Sequence, residues 1–313
     1  MLALCLPHLS PMQQTVFFGY YRAFAKRGLY IAFHPVVGRG PYLFGDGSPI
    51  ADKSPHCFWV CDDRVDIHPD ADSCAWVWHH GPSRTVVESD QRVIIIPRND
   101  LFELRGAENT RAGWAEYRSL ISVPWEQKRH ELHFVGHCTG PQSAANLRIR
   151  ACVLLNASGL PAHVGLLPDY VPRHLAGLVP LLEQEPLHTM GQYRFVLSPW
   201  GNYPFNPRLF RGLEAGSLVF HQASPSIQLL EDGILIPGQH YVELKPDLSD
   251  MLEKVSYYMD HPAEAREIAQ AGHEVWMQNL FAEEPYTIPD TLWERFVSQP
   301  RWAECRAALD VHW

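Results

Sequence analysis

The alternation of apolar and polar positions is irregular at first and orderly later. Gln14 to Lys26 has the spacing of a short amphipathic helix, Leu29 to Phe33 that of a strand, and 34–55 reads as a loop rich in glycine and proline. Cys57-Phe58-Trp59-Val60-Cys61 is an apolar run of strand length that stops at Asp62-Asp63-Arg64, and Val93-Ile94-Ile95-Ile96 is a second that stops at Pro97. The segment 99–130 reads as loop and helix around Trp114 and Trp125.

A strand over 132–135 breaks at Gly136, and a loop over 136–143 leads to a helix over about 144–153. The stretch to 190 reads as loop with one helical turn. Then comes a regular unit. Tyr193 to Ser198 is an apolar strand, the glycine and proline turn after it carries Arg208, and a short helix pattern ends at Gly216-Ser217 before the strand Leu218-Val219-Phe220. Asp247 to Asp260 and Pro262 to Leu280 read as helices, with Asp247 and Ser249 as N-caps of the first and Pro262 in the opening turn of the second.

Apolar runs alternating with helices predict parallel α/β layers. The pattern divides the chain into an N-terminal α/β domain over 1–130, a nucleotide-fold domain over 131–290, and a tail over 291–313 that returns to the first domain. Charges at the carboxyl end of a buried strand, as at Asp62 to Arg64, stand where open α/β sheets hold ligands. A strand, turn and helix bring backbone donors and a cation to one point, which suits an anion.

Composition narrows the function. Of 313 residues, 46% are hydrophobic and 19% charged, as in a globular protein, and 26 prolines with 10 tryptophans suit long ordered loops. A net charge of −9 without a basic run excludes a general nucleic-acid binder. The seven cysteines are scattered without a CxxC pair, which suggests neither a disulfide framework nor a zinc site. No span of about 18 apolar residues predicts a transmembrane segment, and Met1 to Pro7 lacks the basic leader of a signal peptide. The expectation is a cytoplasmic protein, with a trimmed lumenal domain of the secretory pathway as the alternative.

Tyr193-Arg194-Phe195, Gly201, Arg208-Leu209, Gly216-Ser217-Leu218-Val219-Phe220, His240-Tyr241-Val242 and Asp247-Leu248-Ser249-Asp250, followed by Ala265, Ile268-Ala269, Gly272 and Asn279-Leu280, make a pattern that resembles the C-terminal half of the family-90 glycosyltransferases. In the first half, Cys61-Asp62-Asp63-Arg64 resembles the family's strand-end motif, and Trp125 to Lys128 with Phe134-Val135-Gly136 and Thr139 resembles its phosphate turn. Val65, Val135 and His137 depart from the pattern.

The resemblance implies two Rossmann-like domains facing a cleft in the GT-B architecture. It implies an inverting, metal-independent transfer of xylose or glucose from a UDP-sugar to a hydroxyl of a glycan or glycoprotein, with no cofactor. Asp63 matches the family's catalytic base. Arg208 and Arg148 are the cations for the diphosphate, with Gly136, His137, Thr139, Gly201, Gly216, Ser217, His240 and Tyr241 around the donor. A guanidinium suits that role because it grips phosphate oxygens in pairs and stays charged.

Blander readings stand beside these. Asp63 can pair with Arg64, and Arg150 can replace Arg148 as the inward cation. His240 and Tyr241 can be core, and Trp76, Trp78 and Trp200 read as packing. Asp70-Ala71-Asp72 spells the DxD triplet of metal-dependent transferases, but it follows His68-Pro69 in a polar loop far from the phosphate turn. A non-catalytic glycan or nucleotide-sugar binder is the other alternative.

Overall fold

The computed structural model describes residues 19–20, 22–28, 110–140, 143, 145–201, 207–223, 233–300 and 302–303, together with the backbone of strands at 33–36, 58–61, 75–78 and 93–95. The chain divides into two units, one of residues 1–105, 226–232 and 282–313, the other of 106–225 and 233–281.

The first unit carries a parallel sheet of β1 (Phe33–Val36), β2 (Phe58–Cys61), β3 (Ala75–Trp78) and β4 (Val93–Ile95), paired in that order. β1 stands at one end of this order, where Pro35 costs no ladder bond on its outer side. The sequence pattern predicts β2 and β4 and misses β3, whose two tryptophans read as isolated packing residues. Apart from Phe33, the strand expected over 29–33 lies outside the described residues. In the same unit, helical residues 22–26 meet a helix formed by Asp290–Val297: Phe24 lies 5.2 Å from Phe296 and 5.7 Å from Trp293, ring to ring. Arg27 pairs with Asp290 at 2.6 Å across the same contact.

The second unit holds five parallel strands, β5 (Arg129–Gly136), β6 (Ala162–Leu166), β7 (Tyr193–Ser198), β8 (Leu218–Gln222) and β9 (Val242–Leu244), in the order β6-β5-β7-β8-β9. Every residue of β8 is buried, as expected for a strand covered on both faces. Its helices in chain order are α1 (Arg111–Ile121), α2 (Leu147–Ser158), α3 (Arg208–Glu214), α4 (Met251–Asp260) and α5 (Pro262–Val275). Leu132, Phe134, Phe195, Leu197, Phe220 and Leu244 form one core with Ile149, Val255 and Ala265 of α2, α4 and α5. α3 packs through Gly212, where an added Cβ would stand 3.6 Å from Val196 and closer still to Val219.

Three expectations are corrected here. β6 falls in the stretch read as loop; its Gly165 gives a weak strand signal but is required, because an added Cβ would stand 2.6 Å from Leu182 and 2.8 Å from the Pro180 carbonyl. α2 starts at Leu147, three residues later than predicted, because the Asn146 side chain accepts from the amides of Arg148 and Ile149 and so fixes the cap. α4 starts at Met251 rather than Asp247. The Asp247 carboxylate accepts from the Ser249 amide at 3.0 Å, Leu248 has a φ of 58°, and Asp250 turns its carboxylate back to the Lys245 amide at 2.9 Å. Pro262 sits in the first turn of α5 as expected, and a π turn over Trp276–Leu280 continues that helix.

A buried ion cluster fastens α1 to α3. The Glu214 carboxylate pairs with Arg211 at 2.9 Å and with Arg118 at 3.5 Å, and accepts from the Tyr117 hydroxyl at 3.1 Å. No helix among the described residues is long and apolar enough to cross a membrane.

Candidate anion site at the strand ends

The chain leaves β5 for β6 on one side and then returns to β7 on the other. A sheet of this order opens a crevice at the carboxyl ends of the two strands flanking the reversal, and those strands are β5 and β7. β5 ends at Gly136 and is followed by His137, Cys138 and Thr139; β7 ends at Ser198 and is followed by Pro199, Trp200 and Gly201.

Two arginines reach this point from different helices. Arg148, in the first turn of α2, is buried and donates through Nε to the Trp200 carbonyl at 2.6 Å, through Nη1 to His137 at 2.8 Å and through Nη2 to Pro199 at 3.3 Å. Arg208, the first residue of α3, is half-buried and donates through Nη2 to the Val135 carbonyl at 2.5 Å. Both guanidinium groups lie over the Phe134 ring, 5.9 Å and 4.8 Å from its centre. Arg150 is exposed, so Arg148 is the inward cation of that helix.

The electrostatics are unusual. Burial lowers the pKa of Arg148 to about 9, and the Arg208 charge pushes the same way. Burial lowers that of Arg208 to about 10. Among the described residues no carboxylate pairs with Arg148, whose three nitrogens each donate to a backbone carbonyl. A cation so placed gains stability from an incoming anion, because the alternative is a desolvated charge held only by dipoles.

The surrounding backbone supplies donors. The Thr139 carbonyl accepts from the Asn146 side chain at 3.0 Å, while the Thr139 amide and hydroxyl and the Gly201 amide make no hydrogen bond among the described residues. The two glycines are needed for close approach. An added Cβ on Gly136 would overlap Nη2 of Arg208 and stand 3.1 Å from its Cζ, and one on Gly201 would stand 2.6 Å from Nη2 of Arg148 and overlap the Thr139 hydroxyl.

Of the residues expected to hold the donor, Gly136, His137, Thr139, Arg148, Gly201 and Arg208 come together here, His137 with an exposed side chain and its carbonyl on Arg148. Gly216, Ser217, His240 and Tyr241 do not. They precede β8 and β9, at the amino edge of the parallel sheet. The Ser217 hydroxyl, fully buried, donates to the Tyr193 carbonyl at 2.7 Å, and Gly216 adopts a φ of 67° beside His273. The His240 ring accepts from the Ile236 amide at 3.0 Å, and its carbonyl lies against Gly272 of α5. These four residues build the far edge of the unit. Asp62, Asp63, Asp70 and Asp72 lie outside the described residues.

Sequence reasoning missed three members of the site. Asn146 caps α2 and holds the Thr139 turn, and an asparagine just ahead of a helical pattern is a signal that could have found it. Trp200 and Gln222 bind each other twice: the Trp200 amide donates to Oε1 of Gln222 at 2.7 Å and the indole to the Gln222 carbonyl at 2.9 Å. No local pattern announces a pair 22 residues apart.

Comparison with known proteins bears on the same stretch. Residues 181–281 match a family model described as glycosyl transferase-like. Protein O-glucosyltransferase 2 of Danio rerio is 34% identical over 211 residues, 66% of this chain and 41% of that protein. Uncharacterized protein 027R of Frog virus 3 is 35% identical over 92 residues, 28% of this chain and 9% of that protein. The chain thus spans less than half the length of these curated relatives. A glycosyltransferase from Rickettsia africae ESF-5 superposes with a TM-score of 0.49 at 11% identity, covering 97% of this chain and 82% of that structure.

Proposed function

We propose that the chain is an inverting glycosyltransferase that moves a sugar, glucose or xylose, from a UDP-sugar to a hydroxyl of a glycan or glycoprotein, without a metal ion. The observation that carries this reading is the pair of arginines at the ends of β5 and β7, Arg148 buried and Arg208 half-buried, Arg148 without a carboxylate partner among the described residues. Nucleotide-sugar transfer leaves a diphosphate, whose developing charge needs fixed cations and oriented donors rather than an acid. Arg148, Arg208, Thr139 and Gly201 supply both at the crevice where α/β sheets hold nucleotides. The match of residues 181–281 to a glycosyl transferase-like model and the name of the Danio rerio relative support the reaction class, and that name favours glucose.

In this reading Asp63 takes the proton of the acceptor hydroxyl. The acceptor oxygen bonds to the anomeric carbon, the bond from that carbon to the diphosphate breaks, and UDP leaves on the arginines. The base assignment rests on the resemblance of Cys61 to Arg64 to the family motif.

The test is calorimetry with UDP followed by donor hydrolysis across a panel of UDP-sugars in EDTA. Binding with slow hydrolysis is expected, and Asp63→Asn should bind UDP while losing turnover. Heat without hydrolysis of any donor would make the chain a binder; hydrolysis abolished by EDTA would assign the role of Asp70 and Asp72 to a metal site.

A further inference from the structure

Gln222 is fully buried at the last position of β8, and its side-chain amide is spent on two other strand ends. Oε1 accepts from the Trp200 amide at 2.7 Å, beyond β7, and Nε2 donates to the Pro246 carbonyl at 2.5 Å, beyond β9. The donor and acceptor ends of the amide are therefore fixed by their partners: an N–H faces one side and a carbonyl the other. The Gln222 backbone carbonyl accepts from the Trp200 indole at 2.9 Å, so Trp200 is held at both its main chain and its ring.

The Trp200 carbonyl in turn takes the shortest of the three bonds from Arg148, at 2.6 Å. A chain of hydrogen bonds thus runs from Pro246 through Gln222 and Trp200 to Arg148, across the carboxyl ends of β9, β8 and β7 to the first turn of α2. Arg148 touches the anion crevice and Gln222 does not. We propose that Gln222 is a positioning residue for the donor diphosphate: by fixing the Trp200 peptide it fixes the aim of the Arg148 guanidinium and of the Gly201 amide that follows. This inference rests on the UDP-sugar reading of the site. A misplacement of about 1 Å in such a group is enough to cost up to about a hundredfold in function, so one amide in the core can govern donor affinity.

The experiment compares UDP affinity in the full chain, in Gln222→Met and in Gln222→Glu, by calorimetry from pH 8 to pH 5.5. Gln222→Met keeps the volume and loses both side-chain bonds; UDP affinity should fall about tenfold or more. Gln222→Glu keeps an acceptor for the Trp200 amide and, when ionised, sets an oxygen against the Pro246 carbonyl. Protonated, it restores the missing donor. Burial raises a carboxyl pKa above its ordinary value of about 4.3, so the affinity gap between Gln222→Glu and wild type should narrow as the pH falls. A residue that only supports the fold would shift the urea midpoint and leave the affinity gap constant with pH.

An affinity gap that does not change with pH, or UDP binding equal to wild type in both variants, overturns the positioning role and leaves the donor reading standing. No UDP binding by the wild-type chain overturns the donor reading, and the positioning role falls with it. A pH-dependent recovery in Gln222→Glu supports the role even if Gln222→Met does not fold.

Discussion

The Nε of Arg148 donates to the Trp200 carbonyl at 2.6 Å, across 52 residues of chain. With the bonds to His137 and Pro199 it closes the turn after β5 onto the turn after β7. Arg148 is thus both cation and fastening, while Arg208 donates to the Val135 carbonyl at the end of β5.

Each arginine can be tested by truncation. Arg148→Ala removes three hydrogen bonds to backbone carbonyls, each worth about 1.5–3 kcal/mol as a bond from a charged group, so its urea midpoint should fall and UDP binding should weaken. Arg208→Ala should weaken UDP binding tenfold or more. UDP affinity equal to wild type in either variant, measured by calorimetry, would remove that cation from the donor site.

What the sequence disclosed follows from how local each signal is. Gly136, Arg208 and the strand at 193–198 were legible because an apolar run, a glycine break and a lone cation lie within a few residues of one another. Gly216, Ser217, His240 and Tyr241 sit in equally patterned segments, yet they precede their strands instead of following them. In a parallel sheet that difference moves a residue to the opposite edge, which a motif read without strand boundaries does not show. The bonds between Gln222 and Trp200 were invisible for another reason: each joins a side chain to a main-chain group brought near only by the finished sheet.

Gly136→Ala and Gly201→Ala test the close approach. Each added methyl meets a guanidinium, and overpacking of this kind costs about 1–3 kcal/mol. For Gly136 the far end of the Arg208 side chain can swing away, so the fold should survive and UDP affinity should fall. For Gly201 the obstacle includes Thr139 and the clasped Arg148, so stability and affinity should fall together. Wild-type UDP affinity in Gly136→Ala, measured by calorimetry, would show that Arg208 does not need its place beside β5.

Ser217→Ala should leave UDP affinity unchanged and cost about 1 kcal/mol of stability, since its hydroxyl only meets the Tyr193 carbonyl. A tenfold loss of UDP affinity in a variant with a normal urea midpoint would return Ser217 to the donor site.

Acid should loosen the second unit through a carboxylate shared by two imidazoles. Glu185 meets Nε2 of His133 and Nε2 of His163, each at 2.8 Å, with the Tyr193 ring packed against both histidines. Burial holds the His133 pKa below its ordinary 6.5; the Glu185 hydrogen bond and charge oppose this, and the charges of Arg208 and His163 reinforce it. The hydrogen bond from His133 lowers the Glu185 pKa, against a smaller effect of burial. Both groups have folded values below their unfolded ones, so both contributions are complete at high pH and are lost as the pH falls. The His133 loss begins near pH 6.5 and ends at its folded value; the Glu185 loss begins only below about pH 4.3. Urea midpoints from pH 8 to pH 3 should fall in that order, and His133→Phe should remove the upper part of the decline and weaken the lower, which then rests on His163. If the wild-type midpoint instead rose between pH 7 and pH 5, charged imidazoles would be the stabilising form and the assigned direction would be wrong.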